Sequence, residues 1–434
     1  MDIGAETTQG GQGGQSSSLA CGRWCAGSER YPFHGREFSA GRHRGRFVAD
    51  DVIRFSEPDV GEDEVAAAGR ALLSGWITTG EECLALEAEL AEFLGVDHVV
   101  AVSSCTAALE IAVAHLDLPR GSRIGIPTWT FVSTAMAAVH RGLVPVLLDV
   151  EADSMNLCPE SLSAALHSSE GLDAVIAVHF AGIAVSETIH HLCSSAGVPL
   201  IEDAAHALGS TDFRGLVGGS GTAGCCYSFY ATKNLTSAEG GAIATDDERL
   251  ADFARSFRLH GLSKDAWARY RPDARTLDYD VVGDGLKANL PDVLAAVARV
   301  QLRRFNQMQT RRREIVTQYR RLLDNCPVRF VPAELNPNSA DHLFVVILPH
   351  GADRAAIQAD LKNRGIGTSV HFRPLHTFEW FATQGFGPGP SGLPVAGRLA
   401  ERALSLPLHP RLSDSDVTRV CDALSTAIDS EHAA

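Results

Sequence analysis

The chain is short of positive charge. Its 434 residues carry 38 Lys and Arg against 53 Asp and Glu, a formal charge of −15. Binding a phosphate backbone needs a basic face, so this balance argues against nucleic acid as the main partner. It does not forbid a small anion held by local basic residues. No apolar run reaches the ~18 residues of a membrane span, so no membrane partner is expected. No basic stretch near Met1 leads into an apolar one, which argues against a secretory signal. The ten cysteines include no CxxC pair, and Cys21 and Cys25 have no second pair or histidines to complete a zinc site. Reduced thiols in a cytoplasmic protein are the expectation. No internal repeat is evident.

Composition is otherwise that of a globular protein, 45% apolar and 21% charged, and the length allows two domains. Residues 1–50 stand apart. Met1–Ser18 is rich in Gly, Gln, Ser and Thr, and Arg36 to Arg46 carries four arginines with little apolar periodicity, so a disordered extension is expected. From Val52 the pattern becomes regular. Short apolar runs at His98–Val102, Ile124–Ile126, Val144–Asp149, Ala174–His179, Pro199–Asp203 and Gly224–Tyr230 read as strands buried on both faces. Helical spacing between them predicts a mainly parallel, doubly wound α/β sheet over residues 51–303. Residues 304–434 read as a smaller C-terminal α/β domain. It has a charged helix Arg304–Leu323, strands at His342–Leu348 and Gly367–Phe372, and a last helix capped by Ser413 with Asp416 at its third position.

Six places carry candidate chemistry. Lys233 follows a buried strand, in a loop of hydroxyls closed by Gly240 and Gly241. Taken alone it reads as an exposed turn residue. Thirty residues upstream another strand ends on Asp203, which taken alone reads as a helix cap. Together an amine and a carboxylate at neighbouring strand ends suit a cofactor that needs a covalent amine at one end and an anion at the other, as pyridoxal 5′-phosphate does. Val102-Ser-Ser-Cys-Thr-Ala-Ala-Leu109 is a strand, a small-residue turn and a helix start near Thr106, suited to a phosphate or simply a capped helix. Thr128-Trp-Thr-Phe-Val132 offers an aromatic at a strand end, for a cofactor ring or for the core. Lys287 and Asn289 sit in a loop before a helix Val293–Val300, either reaching a phosphate of their own or a neighbouring subunit, or lying on the surface. His371, Arg373 and His376 fit an anion better than zinc, because no carboxylate or cysteine is placed to complete a metal site.

The ordered series from Phe55 to Ala427 resembles the DegT/DnrJ/StrS-type nucleotide-sugar aminotransferases, a branch of the fold-type I pyridoxal-phosphate enzymes. It is carried by Gly75-Trp-Ile-Thr-Thr-Gly80, Ser104-Cys-Thr-Ala-Ala-Leu109, Pro127-Thr-Trp-Thr-Phe131, Val178-His-Phe-Ala-Gly182, Glu202-Asp-Ala-Ala-His206, Ser228-Phe-Tyr-Ala-Thr-Lys-Asn-Leu-Thr236 and Gly285-Leu-Lys-Ala-Asn-Leu290. The resemblance implies that fold, with a large cofactor-binding domain and a small one. Lys233 would be the catalytic lysine that holds the cofactor. Asp203 would face the pyridine nitrogen, Phe131 would stack on the ring, and His206 would stand near its oxygen. Thr106, Ala107 and Ser228 would hold the phosphate, with Asn289 or Lys287 reaching in from the partner of a homodimer with shared active sites. Trp76, Thr78, His179, Arg373 and His376 would meet the substrate. Implied partners are L-glutamate and a keto-sugar nucleotide, with pyridoxamine 5′-phosphate linking the two halves of a ping-pong reaction. The motifs around Glu202, Gly285 and Gly367 are most similar to enzymes that aminate C4 of a 4-keto pentose nucleotide. A pyridoxamine-dependent sugar dehydratase or deoxygenase is the alternative, but such relatives carry histidine where this chain has Lys233. A non-catalytic cofactor-binding regulator would not need both Lys233 and Asp203. Gly121-Ser-Arg-Ile-Gly-Ile-Pro127 and Gly182-Ile-Ala-Val-Ser-Glu187 depart from the family pattern, and residues 1–50 have no counterpart.

Overall fold

The structure, a computed structural model, describes residues 52–263 and 278–432. The extension 1–50 lies outside the described residues. Seven strands form the main sheet: β1 (His98–Val102), β2 (Arg123–Pro127), β3 (Val144–Leu148), β4 (Ala174–Val178), β5 (Leu200–Asp203), β8 (Cys225–Ser228) and β9 (Gly241–Thr245). A two-stranded hairpin, β6 (Thr211–Asp212) with β7 (Gly215–Leu216), interrupts the chain between β5 and β8. The sheet order is β1-β9-β8-β5-β4-β2-β3. Five neighbours from β8 to β3 are parallel, and β9 is antiparallel to both β1 and β8. Continuous apolar runs such as Ala174–Val178, buried at every position, need cover on both faces, and helices supply it.

Strand β9 was not expected from the sequence. Its Gly-Ala-Ile-Ala-Thr run is small and follows a glycine, so it reads as the end of a loop. Glycine is needed at Gly241, because a Cβ there would come within 2.6 Å of the Cys105 nitrogen and the Tyr227 oxygen. That close approach lets the loop after Lys233 lie against the start of the helix Cys105–His115.

A three-stranded antiparallel sheet, β10 (Arg329–Val331), β11 (Phe344–Ile347) and β12 (Ala403–Leu406), packs with the helices Arg354–Asn363 and Asp414–His432 into a second apolar cluster. The last helix has the expected start: Ser413 Oγ accepts from the Asp416 amide at 3.1 Å, and the Asp416 carboxylate accepts from the Ser413 amide at 2.9 Å. Two expectations change. Gly367–Phe372 is not a strand; its Ser369 makes one isolated bridge to Ser405. The helices expected at Val293–Val300 and Arg304–Leu323 are one helix, Asp292–Leu322. Charges on its arginine-rich stretch are matched from outside the helix. Arg299 pairs with Glu82 at 2.7 Å, and Arg304 pairs with Glu64 at 2.7 Å and Asp59 at 2.6 Å.

Candidate active site

The carboxyl ends of β1, β4, β5 and β8 open on one cavity of about 540 Å³, where ligands gather in open parallel sheets. Strand alternation decides who reaches it. Asp203, the last residue of β5, points in; Glu202 before it points to the opposite face.

The Asp203 carboxylate is 5% exposed. It accepts from Thr134 Oγ1 at 2.8 Å and from the Ala205 amide at 3.2 Å, and the Cys105 thiol lies 3.8 Å away. Burial pushes its pKa up, against the hydrogen bonds of Thr134 and Ala205 and the field of Lys233. Among the described residues no guanidinium pairs with it. Lys233 lines the same cavity and makes no side-chain hydrogen bond or ion pair among the described residues. Burial lowers its pKa to about 8, opposed by the charges of Cys105 and Asp203. An amine near that value is neutral often enough to act as nucleophile or base.

The helix Cys105–His115 aims its N-terminus at the cavity through Ser104, Cys105 and Thr106, which gives an anion the positive end of a helix dipole. Ser228, Tyr230 and Gly240 close that end. Phe131, half exposed, stands at the mouth with its ring 5.7 Å from that of Phe372. His206 is buried, with its ring 5.8 Å from Phe372 and nearly parallel to it. The set therefore fits a flat, phosphate-bearing ring with a basic nitrogen and a group reactive toward amines. Among the described residues the carboxylate makes no ion pair and feels the charge of Lys233, and the amine makes no hydrogen bond.

Of the residues expected at the site, Lys233, Asp203, Thr106, Phe131, His206 and Ser228 are brought together. Ala107 is not at the wall; its amide donates to Ser104 Oγ at 3.1 Å. His179 is also excluded. It is fully buried on the reverse face of the sheet, where its Nε2 lies 3.3 Å from Glu202 Oε1, because it follows Val178 by one residue and the strand period turns it away. Trp76, Thr78, Lys287 and Asn289 form a separate patch. Asn289 Nδ2 donates to Thr79 Oγ1 at 2.7 Å, Trp76 Nε1 donates to the Thr79 carbonyl at 2.9 Å, and Lys287 Nζ donates to Asn289 Oδ1. Arg373 is exposed and folds back on Thr377, and His376 Nδ1 bonds Thr128 Oγ1 at 2.8 Å. Thr134, Cys105, His342, His371 and Phe372 complete the surroundings. Of these, Thr134 could have been found as the residue one helical turn after Phe131; His342 gave no signal beyond preceding an apolar run.

Behind the cavity, the ligand atoms of His190, Glu202 and Asp212 lie within 4.8 Å of one another, a metal-like spacing. Arg214 already bridges the two carboxylates, at 2.7 Å from Glu202 and 2.5 Å from Asp212. Its guanidinium supplies the positive charge a cation would bring.

Comparison with known proteins agrees with this chemistry. Residues 58–425 match the sequence profile of the DegT/DnrJ/EryC1/StrS aminotransferase family. Spr1654 of Streptococcus pneumoniae, described as a sugar aminotransferase and solved in its pyridoxamine phosphate form, is 29% identical, with a TM-score of 0.80 over 87% of this chain and 99% of its own. It has also been solved in a pyridoxal phosphate form. PseC of Helicobacter pylori, an aminotransferase of pseudoaminic acid biosynthesis, is 26% identical, with a TM-score of 0.80 over 87% of this chain and all (100%) of its own. The aminotransferase TlmJ of Streptoalloteichus hindustanus is 32% identical, with a TM-score of 0.78 over 87% and 99%.

Proposed function

The chain belongs to the DegT/DnrJ/EryC1/StrS aminotransferase family, and from that premise we propose that it moves an amino group from L-glutamate to a keto-sugar nucleotide, with C4 the favoured position. The observation that carries this reading is the pairing, in one cavity, of a buried carboxylate whose pKa burial raises and an amine whose pKa burial lowers to about 8. Pyridoxal 5′-phosphate, when bound, supplies the electron sink for the carbon that loses or gains the amine. Asp203 would hold a proton on the nitrogen of the bound ring. Lys233 Nζ holds the cofactor at rest, then takes the proton from the donor's α-carbon and returns protons in the sugar half-reaction. Ser104, Thr106 and Ser228 would hold the phosphate at the helix end, and Phe131 would stack on the ring. Residues 51–303 form the cofactor-binding domain, 304–434 the small domain, and the enzyme works in the cytoplasm.

The patch of Trp76, Thr78, Lys287 and Asn289 lies outside the cavity of its own protomer. Its polar and aromatic groups suit the partner's cavity in a homodimer. Arg373 and His376, near the Phe372 edge, are offered to the nucleotide.

The test is a panel of 3-keto and 4-keto sugar nucleotides with glutamate, read by mass spectrometry. The protein should be yellow, lose that colour with glutamate, and add one amine to a 4-keto sugar. Turnover of a keto-sugar nucleotide by Lys233→Ala at the wild-type rate would sink the assignment of Lys233.

A further inference from the structure

Two histidines in the cavity pack ring against ring, tilted to one another, and are held in opposite proton arrangements. The rings of His206 and His342 have centroids 4.3 Å apart at an angle of 33°. Both line the cavity and both are nine-tenths or more buried. His206 Nδ1 accepts from the Ala181 amide at 3.3 Å, so in the neutral ring the proton sits on Nε2. His342 is arranged the other way. Its Nδ1 lies 2.8 Å from Asn234 Oδ1. The Asn234 amide group is oriented by its own donors, Nδ2 to Ala340 O at 2.6 Å and to Gln309 Oε1 at 3.1 Å, so Oδ1 is an acceptor and His342 Nδ1 carries the proton. Gln309 Nε2 also donates to Ala340 O, at 2.8 Å, which ties the unit to the long helix. Neither Nε2 has a protein partner among the described residues.

We propose that His342 is a positioning residue: anchored by Asn234 and packed against His206, it fixes His206 as a neutral ring whose Nε2–H faces the cavity. Asn234 follows Lys233 in the chain, so the same amide links the anchored pair to the backbone that carries the amine. The groups around the pair agree with a neutral state. Burial holds both histidines well below their ordinary pKa, with the fields of Lys233 and His371 acting in the same direction on both and that of Arg312 on His342. A charge on one ring opposes a charge on the other at this separation.

The inference rests on the cavity being the cofactor's, and it has a consequence there. A fixed Nε2–H beside the ring favours the ring's anionic form, so it sets the pH midpoint of the bound cofactor's visible absorbance. The experiment titrates that absorbance in holoenzyme reconstituted with pyridoxal 5′-phosphate. His206→Phe, which has no donor, defines the full shift. His342→Asn keeps an N–H for Asn234 but removes the packed ring. It should shift the midpoint in the same direction as His206→Phe, by about one pH unit, and the double variant should shift no further than His206→Phe alone. A wild-type midpoint in His342→Asn, or shifts that add in the double variant, would overturn the proposal. His342→Phe keeps a ring against His206 but strands Asn234 Oδ1; it should lower the melting temperature while holding the midpoint closer to wild type than His342→Asn does. Should the variants fail to fold, ¹⁵N spectra of histidine-labelled wild-type protein decide. The proposal requires one neutral ring protonated at Nε2 packed against one protonated at Nδ1, and two rings of the same tautomer would refute it. Those spectra need no cofactor, so a failure to bind pyridoxal 5′-phosphate would count against the proposed function without touching this result.

Discussion

Glu202 and Asp203 are consecutive carboxylates at the end of one strand, both buried, and the protein treats them in opposite ways. On the reverse face, Glu202 meets Arg214 at 2.7 Å, with His179 at 3.3 Å and His190 at 3.4 Å. These partners outweigh the cost of burial and hold its pKa down at about 2. On the cavity face, Asp203 has a hydroxyl, one amide and a distant thiol, and burial wins, so its pKa rises. A charge matched inside the chain is structural. A buried carboxylate that faces a cavity, with no ion pair among the described residues, suits a cation that arrives with a ligand. The two should also respond oppositely to acid in the apoprotein. The stability due to Glu202 is complete above its ordinary pKa of 4.5 and is lost as pH falls toward about 2. The raised pKa of Asp203 means that protonating it relieves a burial cost, so its contribution grows as pH falls through that pKa.

The largest expected effect breaks the pair by function. Asp203→Asn keeps the shape and the Thr134 contact but removes the anion. Amino transfer should fall by about 10²–10⁴-fold, with apoprotein melting unchanged or higher, measured by steady-state kinetics and calorimetry. Glu202→Gln is the mirror experiment. It takes one of two carboxylates from Arg214, which keeps Asp212, and the lost hydrogen bond to a charged group is worth about 1.5–3 kcal/mol. Denaturant melts should show that loss, while turnover per folded molecule changes far less than in Asp203→Asn. If the two variants exchanged phenotypes, the division of the strand into a working face and a supporting face would be wrong.

That division was only half legible in the sequence. The strands β1, β2, β3, β4, β5 and β8 announced themselves because each is a short apolar run with no polar alternation, and the spacing of Asp203 and Lys233 was visible from their ends. Direction across the sheet was harder to read. His179 stood next to a strand end and was assigned to substrate, but a period of two turns it to the back with Glu202. β9 hid in a glycine- and alanine-rich run whose role is to let backbones approach. His342 reaches the cavity by tertiary packing that local pattern does not encode. The Trp76 and Asn289 patch was readable as polar loops, but which cavity it serves is not a property of one chain.

A smaller effect, about three-hundredfold, tests the cation on the cavity side. Arg214 beside Glu202 stays charged, its pKa pushed up by the hydrogen bond of Asp212 and the charge of Glu202 against burial. Lys233 beside Asp203 holds its proton loosely, with a pKa of about 8 against 10.5. A shift of that size gives a neutral amine roughly three hundred times more often at neutral pH. The chain has only four lysines, Lys233, Lys264, Lys287 and Lys362, so peptide mapping after brief labelling of the apoprotein with a small amine reagent resolves each one. Lys233 should label ahead of the exposed Lys362, with a midpoint near pH 8. Asp203→Asn removes a charge that favours the lysine's proton and should lower the midpoint, whereas Glu202→Gln should not move it. A Lys233 midpoint near 10.5 would show that burial does not govern this amine.

The smallest expected effect grades the cavity side itself. Thr134 Oγ1 donates to Asp203 Oδ2 at 2.8 Å and also lies 2.7 Å from Thr130 Oγ1. Both threonines are buried, so the Thr134 proton is directed to the carboxylate and Thr130 is left to donate to Thr134. Thr134→Val preserves volume and branching but removes the donor. The anion then depends on the Ala205 amide and the Cys105 thiol, and a hydrogen bond to a charged group is worth about 1.5–3 kcal/mol. Part of that loss falls on the ionised form, so the Asp203 pKa rises further and its hold on a ligand cation weakens. Amino transfer should drop about tenfold, less than in Asp203→Asn. Lowering the pH should deepen the deficit, because protonating Asp203 removes the charge that both the hydroxyl and the ligand need. A Thr134→Val rate profile that matches wild type from acid to neutral pH would mean that the amide at Ala205 alone sustains the anion, and that the hydroxyl pair only fills space beneath it.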